Sequence, residues 1–370
     1  MKVIKPQAEQ GIIWRNPKSV FRNNGWPSVC RDERGVLYAA ASSFRIQHTD
    51  PAGKNAMFLS FNEGKTWTSP IVVNDSYLDD RDTGIVSLGN GRMILSWFSL
   101  RYEDDCAGHA NFEWEKPSDK AMVIGMGKVC PLLPQEEMKS GAYVKVSDDY
   151  GVTWSEPISI PMTAPHGPNR LSDGRAIYLG KDMFPREDGW AHISAYISAD
   201  GGRTWEKTGE VPLPTELDLT WHHLHEPHVV ELPSGRLLGA IRVHCRQKAV
   251  PADTCYTTYS DDGGKTWSMP VSTDVDGLPP HLFVHSSGAV ILSYACRRDG
   301  AKSERAAVSY DGGETWSEEY ILNDVMPDFA DLGYPATTEC ADGSLLTVYY
   351  QPMLQDDFCS VLQTKWRLEK

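Results

Sequence analysis

Arg, His, carboxylates and one Tyr recur in this chain at the ends of short apolar runs, where a side chain can reach a ligand from a packed strand. Ahead of such runs stand Trp26, Arg81 and Asp82, His166, His225 and Glu226, His281 and Tyr334. Behind them stand Arg45, His48 and Asp50, Lys181 and Asp182, Arg242 and His244, Arg297 and Arg298, and Gln351. An ordinary solvated surface favours Lys and Glu over this mixture. The set suits proton transfer by carboxylate, imidazole and phenol and capture of an anion by Arg. Its densest segment, "WHHLHEPH" from Trp221, packs four His and a Glu into eight residues. In a strand His223 and His225 share a face and His228 does not join them. The His-Glu-x-x-His helix pattern of zinc enzymes is missing. The expectation is therefore no metal and no cofactor, with His as polar substrate contacts.

The elements that position these residues come in two repeats. The first is Ser-x-Asp-x-Gly-x-Thr-Trp, read as "SDDYGVTW" from Ser147, "SADGGRTW" from Ser198, "SDDGGKTW" from Ser260 and "SYDGGETW" from Ser309. A weaker copy, "SFNEGKTW" from Ser60, carries Asn62 in place of Asp. The second is a pair of apolar strands around a Gly turn, as in "WPSVCRDERGVLYAAAS" from Trp26 and "EPHVVELPSGRLLGAIR" from Glu226. Equivalent hairpins start near Thr83, His166, Pro279 and Tyr334, six in all. Hairpin plus Trp box is a four-stranded unit of propeller-blade size. The reading is an all-β, six-bladed β-propeller, one domain over residues 1–370. The sixth unit lacks a box, so the strand "GIIWRN" from Gly11 is expected to close the ring, because an open sheet edge invites aggregation.

Propeller topology then sorts the ends of the molecule. If the innermost strands run from top to bottom, the Trp boxes lie at the bottom. Residues before each first strand and after each second strand meet at the top, around the central channel. The Arg, His, acid and Tyr set falls on that one rim, the default position for a site. The stretch from 101 to 139 is an insertion: 87 residues separate Trp67 from Trp154, against 49 to 62 for the other boxes. It leaves from the end of a second strand, and so is expected on the functional face.

Bulk composition removes several classes. A formal charge of −14 disfavours nucleic acid as partner. No apolar run approaches the roughly 18 residues of a membrane span. The start "MKVIKPQAEQGIIW" lacks an apolar leader, and eight Cys are scattered without a Cys-x-x-Cys pair. A cytoplasmic protein with reduced thiols is expected. Oligomer contacts are left open.

The Ser-x-Asp-x-Gly-x-Thr-Trp repeats resemble the Asp-box, or BNR repeat, of the sialidase superfamily. The resemblance covers nearly the whole chain as architecture and implies a structural role for the boxes: Asp and Ser satisfy turn amides and Trp packs between blades. It also implies site roles. Sialidases open one blade with Glu-Pro and end its next strand with Arg, matching Glu226 and Arg242. Their Gly-Tyr-Ser segment carries the nucleophile and matches "LGYPATT" at Gly333 and Tyr334, with Pro335 for Ser. Their acid Asp sits where "FRIQHTDPAGKN" offers Asp50. The family's Phe-Arg-Ile-Pro opening is replaced by "NNGWPSV", which puts Trp26 at or beside the first carboxylate-binding Arg. Arg45 or Arg81 is available to compensate, and Arg297, Arg298 or Arg305 to complete the set. The resemblance thus implies a glycoside hydrolase releasing a terminal acidic sugar, with Tyr334 and Glu226 as nucleophile and base and Asp50 as acid. Substrate contacts are expected from Arg242, Arg45, Arg81, Asp82, Arg297, Arg298, His48, His166, His225, His281 and Trp26. A phenol suits an anomeric carbon that bears its own carboxylate, because it arrives uncharged. Two alternatives use the same rim: a lyase abstracting a proton beside a uronate, and a glycan-binding propeller without catalysis.

Overall fold

The computed structural model describes residues 1–51, 53–102, 117–215, 219–245, 253–328 and 331–369. Apolar alternation over short Gly-bounded runs gives six antiparallel sheets. Blade I is Asn23–Arg31, Leu37–Arg45, Lys54–Ser60 and Ile71–Asn74, and blade II is Asp79–Gly89, Arg92–Leu100, Gly141–Ser147 and Ile158–Ile160. Blade III is Asn169–Arg170, Ala176–Asp182, Ile193–Ser198 and Glu206–Glu210; blade IV is Leu224–Glu231, Leu237–His244, Asp253–Ser260 and Val271–Asp276. Blade V is Leu278–Val284, Val290–Cys296, Ser303–Ser309 and Glu318–Asn323. Blade VI is Gly333–Glu339, Leu345–Pro352 and Cys359–Trp366, completed by Glu9–Trp14. That N-terminal strand pairs antiparallel with Cys359–Trp366, Gly11 opposite Gln363, and so closes the ring as expected.

Two details depart from the sequence reading. The first strand of blade III is broken: Asn169–Arg170 pairs with one end of Ala176–Asp182 and Met162–Thr163 with the other. Gly167 at φ 73° and the donor-less Pro168 interrupt the ladder between them. Blade V gains a fifth strand, Lys2–Ile4, parallel to Glu318–Asn323, which covers an edge left open by the other four.

The core is divided among the seams between blades. Six apolar clusters form, one for each pair of neighbours. The box Trp side chains enter these seams: Trp67 between VI and I, Trp154 between I and II, Trp205 between II and III, Trp267 between III and IV, Trp316 between IV and V. The V–VI seam, whose blade has no box, is filled by Trp366 at 1% exposure. Each box is a hydrogen-bonded turn. In the box at 309, Ser309 Oγ accepts the Gly313 N–H at 2.8 Å, Asp311 Oδ1 accepts the Thr315 N–H at 2.9 Å, and the Thr315 hydroxyl donates to Oδ2. Asn62 keeps the pattern in the weak copy by donating Nδ2–H to Thr66 Oγ1 at 2.8 Å. These contacts assign the box Asp residues to the turns.

The insertion contributes an α-helix, Pro117–Gly127, and a tight turn, Cys130–Leu132. Cys130 and Met138 bury against Leu78. The part of the 101–139 reading that falls on 103–116 lies outside the described residues.

Candidate active site

One backbone device recurs where each inner strand meets the channel mouth. The hairpin register skips two residues at Trp26-Pro27, Asp82-Thr83, Glu226-Pro227, Pro279-Pro280 and Tyr334-Pro335. Trp26, Asp82, Glu226 and Tyr334 take φ values of 49°, 57°, 47° and 54°. A left-handed conformation costs a residue with a Cβ about 1–3 kcal/mol and persists where surroundings enforce it. A bulge of this kind re-aims a side chain. Blades II, IV and VI thereby present Asp82, Glu226 and Tyr334 from equivalent positions, in a pseudo-threefold arrangement. Blades I, III and V place Trp26, Gly167 and Pro279 between them.

Three of the expected residues form one chain of hydrogen bonds. The Tyr334 hydroxyl donates to Glu226 Oε1 at 2.5 Å, and Arg242 Nη1 donates to Glu226 Oε2 at 2.7 Å. They are 108 and 16 positions apart in sequence. Burial pushes the Glu226 carboxyl up, but the charge and hydrogen bond of Arg242 and the bond from Tyr334 outweigh it, so Glu226 stays below its ordinary value. Burial, then the negative charges of Glu226 and Asp82, push the Tyr334 phenol well up. The site thus holds a phenol with its proton already directed at an ionised carboxylate.

Arg297 is the second cation of the site, its guanidinium 5.8 Å from the Tyr334 ring centre. Its Nε donates to the Leu332 carbonyl at 2.9 Å and its Nη2 to the Tyr350 hydroxyl at 3.3 Å. Gly333 makes room: a Cβ there would stand 3.1 Å from Arg297 Nη2, and the φ of 135° strains any other residue. Tyr350 in turn donates to Asp331 Oδ1 at 3.0 Å, while His48 Nδ1 meets Asp331 Oδ2 at 2.7 Å. Burial alone would raise the Asp331 carboxyl. The His48 and Arg297 charges and these hydrogen bonds hold it down at about 2.

Several expected contacts take other roles. Arg298 points outward, 65% exposed, and pairs with Asp276 at 3.2 Å. Arg305 pairs with Glu319 at 3.1 Å. Arg45 is fully enclosed and salt-bridged to Asp79, to which Arg81 Nε also lies at 3.2 Å. Both guanidiniums stack on Trp26, at 4.8 and 5.9 Å from its ring. They brace Trp26, itself 3% exposed. The reading of Asp50 as an acid open to a leaving oxygen also changes. Asp50 is 0% exposed, and its Oδ2 accepts the Ile46 and Gln47 N–H groups at 2.7 and 3.0 Å, which folds the loop.

Histidines line the channel just below. His166, His228 and His281 form a buried cluster with ring centres 4.4–5.7 Å apart, beside a cavity of about 160 Å³. The His166 ring is 6.3 Å from that of Tyr334. His228 Nδ1 accepts the Leu282 N–H and His281 Nδ1 the Thr337 N–H, which puts each ring proton on Nε2. A nitrogen carrying a proton has no lone pair for a metal. Among the described residues no group of three His, Cys, Asp or Glu is arranged to hold an ion. His225 stands apart, with Nε2 on the His222 carbonyl at 2.7 Å and Nδ1 facing Lys181 Nζ at 3.3 Å. Burial lowers His225 to about 4 and Lys181 to about 8.

Asp331, Tyr350 and His228 were missed as site residues. Asp331 stands three positions before Tyr334, on the segment leading into the rim. A sequence signal existed for the mouth as a whole: of the six residues that open the inner strands, Trp26, Asp82, Gly167, Glu226, Pro279 and Tyr334, all but Asp82 are followed by Pro. A cavity of about 970 Å³ at Asp262, Trp267, Thr315 and Trp316 lies among the box turns and contains none of the rim residues.

Comparison with known proteins agrees with this architecture. The model of the BNR repeat-like domain matches residues 126–348, more than half of the chain. A search of curated proteins finds no match. Among solved structures, a protein of unknown function from Dyadobacter fermentans superposes with TM-score 0.74 at 20% identity, covering 98% of both chains. The intramolecular trans-sialidase of Ruminococcus gnavus gives 0.67 at 16% identity, covering 97% of each. The α-L-arabinanase of Penicillium chrysogenum gives 0.60 at 15%, covering 98% of this chain and 99% of the other. Such identities speak to fold alone. With its five box turns, six seams and closed ring, the chain belongs to the BNR repeat-like family and folds as a six-bladed β-propeller.

Proposed function

We propose that this protein is a glycoside hydrolase that releases a terminal acidic sugar, sialic acid or a close relative, from a glycan. The observation that carries the reading is the Arg242–Glu226–Tyr334 hydrogen-bond chain at the channel mouth. Tyr334 Oη attacks the anomeric carbon while its proton passes to Glu226, the aglycone leaves, and water later displaces the tyrosine, which recovers its proton from Glu226. A neutral phenol meets no charge repulsion from a carboxylate on that carbon, and an adjacent ionised carboxylate accepts the proton that so weak an acid would otherwise keep. Arg242 and Arg297 are the cations available to bind the sugar carboxylate. Arg242 Nε is buried and has no partner among the described residues, so one donor direction is uncommitted. Trp26 in place of a third Arg makes the clamp narrower than a three-Arg site and gives the sugar an aromatic wall.

The test is a screen of acidic aryl glycosides and acidic oligosaccharides, following reducing-sugar release and ultraviolet absorbance together. Reducing-sugar release from the oligosaccharides without the absorbance of a new double bond, lost in Glu226→Gln and Tyr334→Phe, is the expected result. Absorbance from a new double bond would instead indicate a lyase. Tight binding without turnover would indicate a glycan-binding propeller. Equal turnover of a neutral analogue lacking the carboxylate would end the acidic-sugar assignment.

A further inference from the structure

A glycoside with an alkoxide leaving group needs a proton at the departing oxygen, and Asp50 is locked into its loop. We propose that Asp82 is the acid that protonates the leaving group, an inference that rests on the glycosidase reading above. Asp82 occupies the same bulge position as Glu226 and Tyr334, one blade pair around the ring from each. Its left-handed backbone matches theirs. Its side chain is 8% exposed, against none for Asp50, and among the described residues its carboxyl has no hydrogen-bond partner. Its neighbour in sequence, Arg81, is turned to Asp79 and Trp26. A buried, unpartnered carboxyl is stable only with its proton on.

The charges around Asp82 act in the same direction on balance. Burial comes first and the negative charge of Glu226 second, with Asp79 adding to it; Arg81 and Arg45 oppose them, and the carboxyl is pushed up to about 8. Tyr334 and Tyr178 also face it, and both stay neutral. Asp82 and Glu226 are thus two carboxyl groups at equivalent positions held in opposite protonation states, which is how a site separates acid from base. In the first step the Asp82 proton goes to the glycosidic oxygen as its bond to the anomeric carbon breaks and takes the electron pair. Tyr334 Oη bonds to that carbon and Glu226 receives the phenol proton. In the second step a water gives a proton to the Asp82 carboxylate and attacks the same carbon. Tyr334 departs with the proton held by Glu226, and every group returns to its starting state.

The experiment uses the full chain and two glycosides of sialic acid, or of the uronic acid if the screen returns that: a 4-nitrophenyl glycoside, whose phenolate leaves unaided, and a methyl glycoside, whose alkoxide does not. Asp82→Asn should lower kcat/KM on the methyl glycoside by about 10²–10⁴-fold and on the nitrophenyl glycoside by less than about tenfold. The wild type should show an alkaline limb near pH 8 on the methyl glycoside, and the variant should lack it. Equal losses on both substrates overturn the assignment. So does a leaving-group-dependent loss in Asp50→Asn that Asp82→Asn does not show. If Asp82→Asn does not fold, the wild-type pH profiles decide: the limb confined to the methyl glycoside supports Asp82, and the same limb on both refutes it. A wild type that turns over neither glycoside removes the glycosidase reading itself, and this assignment with it.

Discussion

Replacing Arg242 by Met should destabilise the fold and silence Glu226 together, and a double-mutant cycle can separate the two effects. The Arg242 Nη1–Glu226 Oε2 distance is 2.7 Å and both side chains are 17% exposed. Removing one partner of a mostly buried pair leaves the other charge unpaired, at a cost of about 3–5 kcal/mol. Glu226→Gln removes the other charge and leaves Arg242 in the same position. In Glu226→Gln/Arg242→Met neither charge remains, so its cost should fall short of the sum of the single costs by at least about 2 kcal/mol. Equilibrium urea unfolding followed by Trp fluorescence measures all three differences, with the m-value checked for constancy. The chemistry should respond as well. Burial already pushes the Glu226 carboxyl up, and Arg242 is what holds it down. Without Arg242 the carboxyl takes up its proton at higher pH, and the Tyr334 proton loses its acceptor. The acid limb of activity should then move upward in Arg242→Met and less so in Arg242→Lys. Additivity of the two single costs to within about 0.5 kcal/mol would show that the pair does not act as a unit, and the relay argument would fall.

Other outcomes follow from the same structure. His166, His228 and His281 are held neutral, His228 down to about 3 by burial and the other two well below 6.5. Each folded-state pKa is depressed, so the unfolded chain binds protons first as pH drops below about 6.5. Stability should therefore fall towards pH 4, by up to about 1.4 kcal/mol per pH unit for each His. Asp80 and Asp82, raised to about 7 and 8, act in the opposite sense, and their stabilisation is lost as pH rises through those values. Unfolding midpoints of wild type and His228→Gln between pH 4 and 7 test the His contribution, and a pH-independent difference between them would contradict it. Deleting residues 1–14 removes the outer strand of blade VI and the fifth strand of blade V. The shortened chain should expose two sheet edges and self-associate in light scattering; a monomer of unchanged midpoint would refute the closure argument. Trp366→Ala should cost about 3–5 kcal/mol, because the V–VI seam has no box Trp to fill the gap.

The blade count, the closing strand and the structural role of the boxes were legible in the sequence because they are local and repeated. A box turn is satisfied by its own eight residues, as the Ser309–Asp311–Thr315 contacts illustrate. Strand alternation likewise fixes which side chains enter a seam. The rim was legible as a set because topology places strand starts on one face whatever their side chains. What each rim residue does there was not legible, because it depends on partners from other blades. Arg297 and Arg298 are adjacent and alike in sequence, yet one lies beside Tyr334 and the other is tied to Asp276 on the surface. Asp50 and Asp82 are both acids at the rim ends of strands. Two backbone N–H groups claim the first, while a left-handed bulge turns the second toward Glu226 and Tyr334. Composition and spacing determined a propeller whose mouth collects Arg, His, carboxylates and a Tyr. Only the tertiary structure decided which groups share protons there, because the 2.5 Å hydrogen bond that joins Tyr334 of one blade to Glu226 of another depends on bulge geometry that a linear pattern does not encode.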